Sequence, residues 1–262
     1  MPNIYREELS RALVNKRFLL VFLLAGISFL YGFFQMKTIV VEPLDAITIW
    51  QGILQRGYYG FFACVMAVLP FADSLSVDKN ERVINHFLLR VEYKKYIAAK
   101  FLSAIVSGAV AVLLPAILML LICALMYPAN PVQIPTLSFS VKEILPGQVI
   151  SPGTALKLTP LGYLALCWLF LAFFGMAYAM LAMGLSFHTE NSLIVLGFPF
   201  LCYSFGYYFI PSSRHLHWLI SSEAALIPQG NLISAVVQWV GFGLFFCANV
   251  LLFGNKERQV IK

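Results

Sequence analysis

From Phe101 to Tyr127 the chain carries no Asp, Glu, Lys, Arg or His. That run exceeds the about 20 apolar residues needed to cross the hydrocarbon core of a bilayer. Six segments read as crossings of this kind: residues 18–35, 57–71, 97–127, 161–186, 192–210 and 232–253. The second is short, and the third is long enough to tilt or to project beyond the bilayer. Lipid offers no hydrogen bonds to a bare backbone, so each crossing is expected to be helical. A transmembrane barrel would need short segments of alternating polarity, and the sequence has none.

Composition agrees. The chain is 60% hydrophobic and 11% charged, whereas a soluble domain is typically about 45–50% apolar and about 25% charged. Too few charges remain to cover a water-facing surface. The fold class expected is therefore an all-α integral membrane protein with about six transmembrane helices. The first apolar run starts after Arg17 and is too long for a cleavable leader, whose apolar region spans about 7–15 residues; it reads as a retained first crossing. Cys64, Cys123, Cys167, Cys202 and Cys247 all fall in apolar runs without C-x-x-C spacing. They read as small apolar side chains, with neither a disulfide framework nor a metal site expected.

Basic residues give the orientation. Arg6, Arg11, Lys16 and Arg17 precede the first crossing, Lys79, Arg82, Arg90, Lys94, Lys95 and Lys100 lie between the second and third, and Lys256, Arg258 and Lys262 follow the last. The other side has Lys37, Arg56, Lys142, Lys157 and Arg214. Cytoplasmic loops carry the excess of Lys and Arg, so both termini are expected inside, in the cell membrane. The net charge of +6 then reflects attraction to anionic lipid rather than to nucleic acid.

The layout divides as follows. Residues 1–17 form an amphipathic helix on the inner surface, with Tyr5, Leu9, Ala12 and Leu13 near one face. Residues 18–254 form the transmembrane domain, and residues 255–262 a cytoplasmic tail. Within the domain, 73–96 is an inner loop. Residues 128–160 form an outer loop whose proline density excludes a continuous helix and which has room for a hairpin. Residues 211–231 suit an outer interfacial or re-entrant segment.

The inner loop is the most informative stretch. Asp73 stands at the membrane exit, and a charged cluster of Asp78, Lys79, Glu81 and Arg82 follows. A short amphipathic helix then places Val83, Ile84, Phe87 and Leu88 on one face. An apolar face of this kind fills a groove on a partner while flanking charges set register. The loop resembles that of the ABC-2 type permeases, membrane subunits of bacterial ATP-driven exporters of the type V kind. The resemblance rests on Asp73, the cluster from Asp78 to Arg82, Leu88-Leu89-Arg90, and Tyr96 with Lys100, together with the N-terminal helix and the six-crossing layout.

The resemblance implies that Asp78, Lys79, Glu81, Arg82, Val83, Ile84, Phe87 and Leu88 form a coupling helix seated in a cytoplasmic ABC ATPase subunit. It implies a second permease subunit, identical or paralogous. The chain has no G-x-x-x-x-G-K-[ST] loop, so ATP and Mg would be bound by the partner and no cofactor by this chain. It is therefore expected to be a transport subunit rather than an enzyme, moving a hydrophobic or amphipathic peptide, lipid-like or drug-like molecule. Two other readings are an accessory or immunity protein that does not transport, and a secondary carrier. No ionisable group stands in the middle of an expected crossing, where a proton-coupled carrier would need one. In the fifth crossing, Tyr203, Ser204, Tyr207 and Tyr208 are candidates for a substrate path, with interfacial anchoring as the plainer role for such tyrosines. Gly175 with Ala179 and Ala104 with Gly108 have the four-residue spacing that lets helices approach closely.

Overall fold

The computed structural model describes residues 4–37, 46–81, 92–127, 160–209, 240–241 and 243–252. All regular elements among these are helices: α1 (Ile4–Leu13), α2 (Arg17–Lys37), α3 (Ala46–Arg56), α4 (Tyr59–Val68), α5 (Ser74–Asn80), α6 (Tyr93–Met126), α7 (Pro160–Leu185), α8 (Ser192–Phe209) and α9 (Gly243–Leu252). Three stretches are long and apolar enough to cross a membrane: Arg17–Lys37, Tyr93–Met126 and Cys167–Leu185. Three more apolar helices, Tyr59–Val68, Ser192–Phe205 and Gly243–Leu252, are shorter. The expected outer loop at 128–160 lies outside the described residues save for Pro160, and the segment at 211–231 and the tail at 255–262 lie wholly outside them.

The surface of α2 fits a lipid environment. Val21, Ala25, Ser28, Gly32 and Met36 form its buried stripe. On the other side Leu19, Leu23, Ile27, Leu30 and Phe34 are each more than half exposed. A row of large apolar side chains facing outward along a whole helix would be an aggregation hazard in water; in a bilayer it is the contact surface.

The segment expected as the second crossing, 57–71, holds the shorter apolar helix α4, and a further helix, α3, precedes it across a break at Gly57 and Tyr58. Gln51, Gln55 and Arg56 interrupt the apolar pattern, which is why α3 was not legible. The pair runs antiparallel to α2: Gly52 lies against Met36, Ile53 against Gly32, and Gly57 against Ser28. Ser28 Oγ donates to Gly57 O at 2.7 Å. A Cβ at Gly32 would run into Ile53 O, so only glycine allows this approach. At the break Tyr58 adopts φ 51°, a left-handed conformation rare for a bulky residue.

Helix α6 has 34 residues, a length of about 51 Å. Pro115 lies inside it and removes one intrahelical hydrogen bond. On either side of that proline α4 and α3 are pinned to it: Tyr59 Oη donates to Val112 O at 2.5 Å, and Trp50 Nε1 donates to Ala116 O at 2.9 Å. On its other flank α6 meets α7 at Gly108 and Gly175. A Cβ at Gly175 would strike Gly108 O, and one at Gly108 would sit 2.6 Å from Ala179 Cβ and 2.8 Å from Gly175 O. The expected small-residue contacts are thus found inside one chain, between α6 and α7.

Candidate functional site

The N-terminal end of α6 holds a cluster of charges with almost no access to solvent. Lys100 is fully buried, and Glu8 and Asp78 are each 1% exposed. Lys100 Nζ lies 3.2 Å from Glu8 Oε2 and 2.7 Å from Asp78 Oδ2. Tyr96 Oη, one helical turn before Lys100, donates to the same Asp78 oxygen at 2.6 Å. Arg11 covers the cluster from the exposed side, 2.9 Å from Glu8 Oε1 and 3.4 Å from Asp78 Oδ1. Two carboxylates thus face two cations, and one ammonium joins α1, α5 and α6. The ring faces of Phe71 and Tyr96 stand 5.0 and 5.4 Å from Lys100 Nζ, which further favours the cation there.

Local sequence explains each position. Ile4, Glu8 and Ala12 recur at four-residue spacing and are the buried residues of α1. Glu8 therefore sits on the face turned to the protein. Tyr96 and Lys100 share the same spacing on α6. Helix α5 begins after the turn at residues 69–73, which is itself fixed to the start of α2. Arg17 Nη1 lies 2.5 Å from Asp73 Oδ1, and Asn15 Nδ2 donates to Pro70 O at 2.9 Å. From the other side, Ser76 Oγ donates to Thr189 O at 2.8 Å, Lys79 Nζ donates to Phe187 O at 3.3 Å, and Ser186 Oγ donates to Ala72 O at 3.0 Å. The start of the inner loop is therefore held on both flanks.

Burial acts to raise the Asp78 carboxyl, but Lys100, the Tyr96 hydroxyl and Arg11 together outweigh it and hold the group below its ordinary value. Asp78 is thus an anion at neutral pH. On Arg11 burial acts downward, and Glu8 and Asp78 override it to raise the guanidinium further.

The residues expected to face a partner divide three ways. Asp78 points into the protein and contributes no charge to an outer rim, because Lys100 and Tyr96 claim it. Lys79 is half-buried against Phe187, while Glu81 is exposed at the end of α5. Arg82, Val83, Ile84, Phe87 and Leu88 lie outside the described residues. Lys100, which with Tyr96 was part of the family resemblance, is enclosed by protein. One further expectation is corrected. Ala12 was expected on the lipid-facing side of α1 and is fully buried, while Tyr5 and Leu13 are 39% and 36% exposed. Glu8 was not singled out from the sequence, although its spacing from Ile4 and Ala12 marks it.

In the expected substrate path, Tyr203 is 4% exposed. It packs among Phe61, Phe174 and Tyr178, with ring centroids 6.4, 6.3 and 6.2 Å away. This tyrosine is part of the core. Ser204 is half-buried, with an enclosed hydroxyl that has no hydrogen-bond partner among the described residues. Tyr207 and Tyr208 belong to α8, and their side chains lie outside the described residues. Among the described residues no three His, Cys, Asp or Glu side chains stand close enough together to hold a metal ion.

Fold and site together define, among the described residues, an all-helical arrangement with three helices long and apolar enough to cross a membrane and a buried ionic clamp at the start of α6. No protein-family model, curated protein or solved structure matches it.

Proposed function

We propose that this chain is the membrane subunit of an ATP-driven exporter, with the inner loop as the element that receives the stroke of a separate ATPase. The observation that supports this reading is the Lys100 clamp. A loop that merely connected two crossings would need no buried ionic anchor, since such groups are expensive to desolvate. Here α5 is tied through Asp78 and Lys100 to the longest helix and through Glu8 to the N-terminal helix. A push on the loop beyond Asn80 would be passed to both. In this reading both termini and the loop are cytoplasmic, six helices cross the membrane, and the exposed Tyr5 and Leu13 of α1 rest on the inner surface. Two such subunits pair with two ATPase subunits, which bind ATP and Mg. The substrate is a hydrophobic or amphipathic molecule, with Ser204, Tyr207 and Tyr208 as the path residues and Tyr203 as their support.

The test is directed at Ile84 and Phe87, the apolar face proposed to fill the ATPase groove. Replacing either with Asp places an unpaired charge in the contact, at several kcal/mol. Changes at Glu81 or Arg82, at the wet rim, should each alter binding by about 1 kcal/mol or less. Co-purification with an ABC ATPase subunit, and substrate-stimulated ATP hydrolysis, should both be lost in Ile84→Asp and Phe87→Asp. Normal association and stimulation in both variants would remove the coupling role.

A further inference from the structure

Two neighbouring helical stretches are interrupted, and the interruptions lie side by side. Between α3 and α4 the helix stops at Gly57 and restarts after the left-handed Tyr58. In α6 the interruption is Pro115, which lacks the N–H that would bind the carbonyl of Ala111 four residues back. The contacts between the two stretches set them at one level. Tyr59, just after the break, donates to Val112 O, and Trp50, within α3, donates to Ala116 O. Both side chains are fully buried. Pro115 therefore stands between the two acceptors, and the break stands between the two donors.

The two arms of α6 are held differently. The N-terminal arm carries the Lys100 clamp and meets α7 backbone to backbone at Gly108 and Gly175. The C-terminal arm, residues 116–126, buries Ala116, Met119 and Cys123. Leu118, Leu121, Ile122 and Leu125 of the same arm are each more than 40% exposed. Two small side chains and a flexible methionine grip less firmly than two backbones in contact. Among the described residues, the polar contact between this arm and another helix is the Trp50 hydrogen bond.

We infer that Pro115 is a hinge about which residues 116–126 swing away from α3, and that Trp50 is the latch that holds it closed. A helix bends where a bond of its ladder is missing. Where no water reaches, a proline inside a helix is tolerated when neighbouring helices supply donors to the backbone around it, as Tyr59 and Trp50 do here. Tyr59, stacked on Phe29 with ring centroids 5.3 Å apart, steadies the N-terminal side of the hinge. The strained Tyr58 directly before it is the kind of backbone that persists where the surrounding structure imposes it. When the latch opens, the motion is confined to the C-terminal arm, and the clamp at Lys100 stays closed. The hinge belongs to the described helices themselves and holds whether or not an ATPase drives the chain.

Double electron–electron resonance on the full chain in lipid nanodiscs tests it, with nitroxides on Leu125→Cys and Leu169→Cys. Both leucines are exposed, and Leu169 belongs to α7, to which the other arm is fixed. The arm from Pro115 to Leu125 is about 15 Å long, so a swing of about 20° moves its end by about 5 Å. The unaltered chain should give one main distance. Trp50→Phe keeps an aromatic ring and loses the donor; it should raise the population of a second distance, about 5 Å away, roughly fivefold, the effect of one hydrogen bond. Pro115→Ala restores the missing N–H and should abolish that second distance in the Trp50→Phe background. Pro115→Ala alone should narrow the distribution relative to the unaltered chain, and this comparison decides the matter if Trp50→Phe does not fold. Trp50→Phe with the unaltered distribution would overturn the latch. A second distance that persists when Pro115→Ala is added would show loosened packing in place of a hinge, and equal widths in Pro115→Ala and the unaltered chain would overturn the hinge as well.

Discussion

Lys100→Met is expected to destabilise the chain by about 3–5 kcal/mol, the usual effect of removing one partner from a buried ionic group. Methionine fills the space but leaves Glu8 and Asp78 facing each other with almost no water. Only Arg11, 46% exposed on its side chain, would remain to compensate them. Set against a typical stability of about 5–15 kcal/mol, that loss lowers the melting temperature in detergent sharply and broadens the elution profile. The cost comes from the stranded carboxylates, so it should be reversible. Adding Glu8→Gln and Asp78→Asn to Lys100→Met removes both negative charges and should recover most of the lost stability. A single Lys100→Met variant that melts with the unaltered chain would mean that the cluster is open to water and not the anchor described here.

Gly175→Ala is expected to be nearly as damaging, for a steric reason. Its new methyl group would meet Gly108 O, a backbone atom of the facing helix, so no rotamer change can make room. Overpacking typically costs about 1–3 kcal/mol, and the upper part of that range applies where the obstacle is backbone. Gly108→Ala offers a contrast, because its nearest obstacle is the Ala179 methyl group at 2.6 Å. Ala179→Gly should therefore relieve Gly108→Ala in part and leave Gly175→Ala unrelieved. Thermal melts of the four variants check the pattern. Equal relief of both glycine variants would show that the helices separate rather than clash.

The long apolar helices were legible because each carries an uninterrupted run, as in α6 beyond Lys100. Helix α3 was not, since it mixes Trp50 and Ile53 with Gln51, Gln55 and Arg56. Its burial comes from contacts with α2 and α6 that no local pattern records. The inner loop was recognised by its charges, but their directions were not. Asp78 and Lys79 are adjacent in sequence to Glu81 and Arg82, and nothing local says that Asp78 turns inward. That depends on Lys100, some twenty residues away, and on Glu8 from the N-terminal helix. Buried ion pairs between distant elements leave little trace in periodicity. The spacing of Ile4, Glu8 and Ala12 was the one local sign, and the stronger apolar pattern of Tyr5, Leu9 and Leu13 concealed it.

The account stands on one arrangement above all. In the proposed reading the N-terminal helix, the inner loop and the N-terminal end of α6 share one face of the membrane, the cytoplasmic one. Single-cysteine labelling with a membrane-impermeant thiol reagent measures this directly. Cys64, Cys123 and Cys167 are buried, so the background needs replacement chiefly of the exposed Cys247 and the half-buried Cys202. In intact cells Lys142→Cys should label and Glu81→Cys should not, and in inverted membrane vesicles the pattern should reverse. Labelling of Glu81→Cys from outside intact cells, or of Lys142→Cys only in inverted vesicles, would contradict the arrangement and the coupling role built on it.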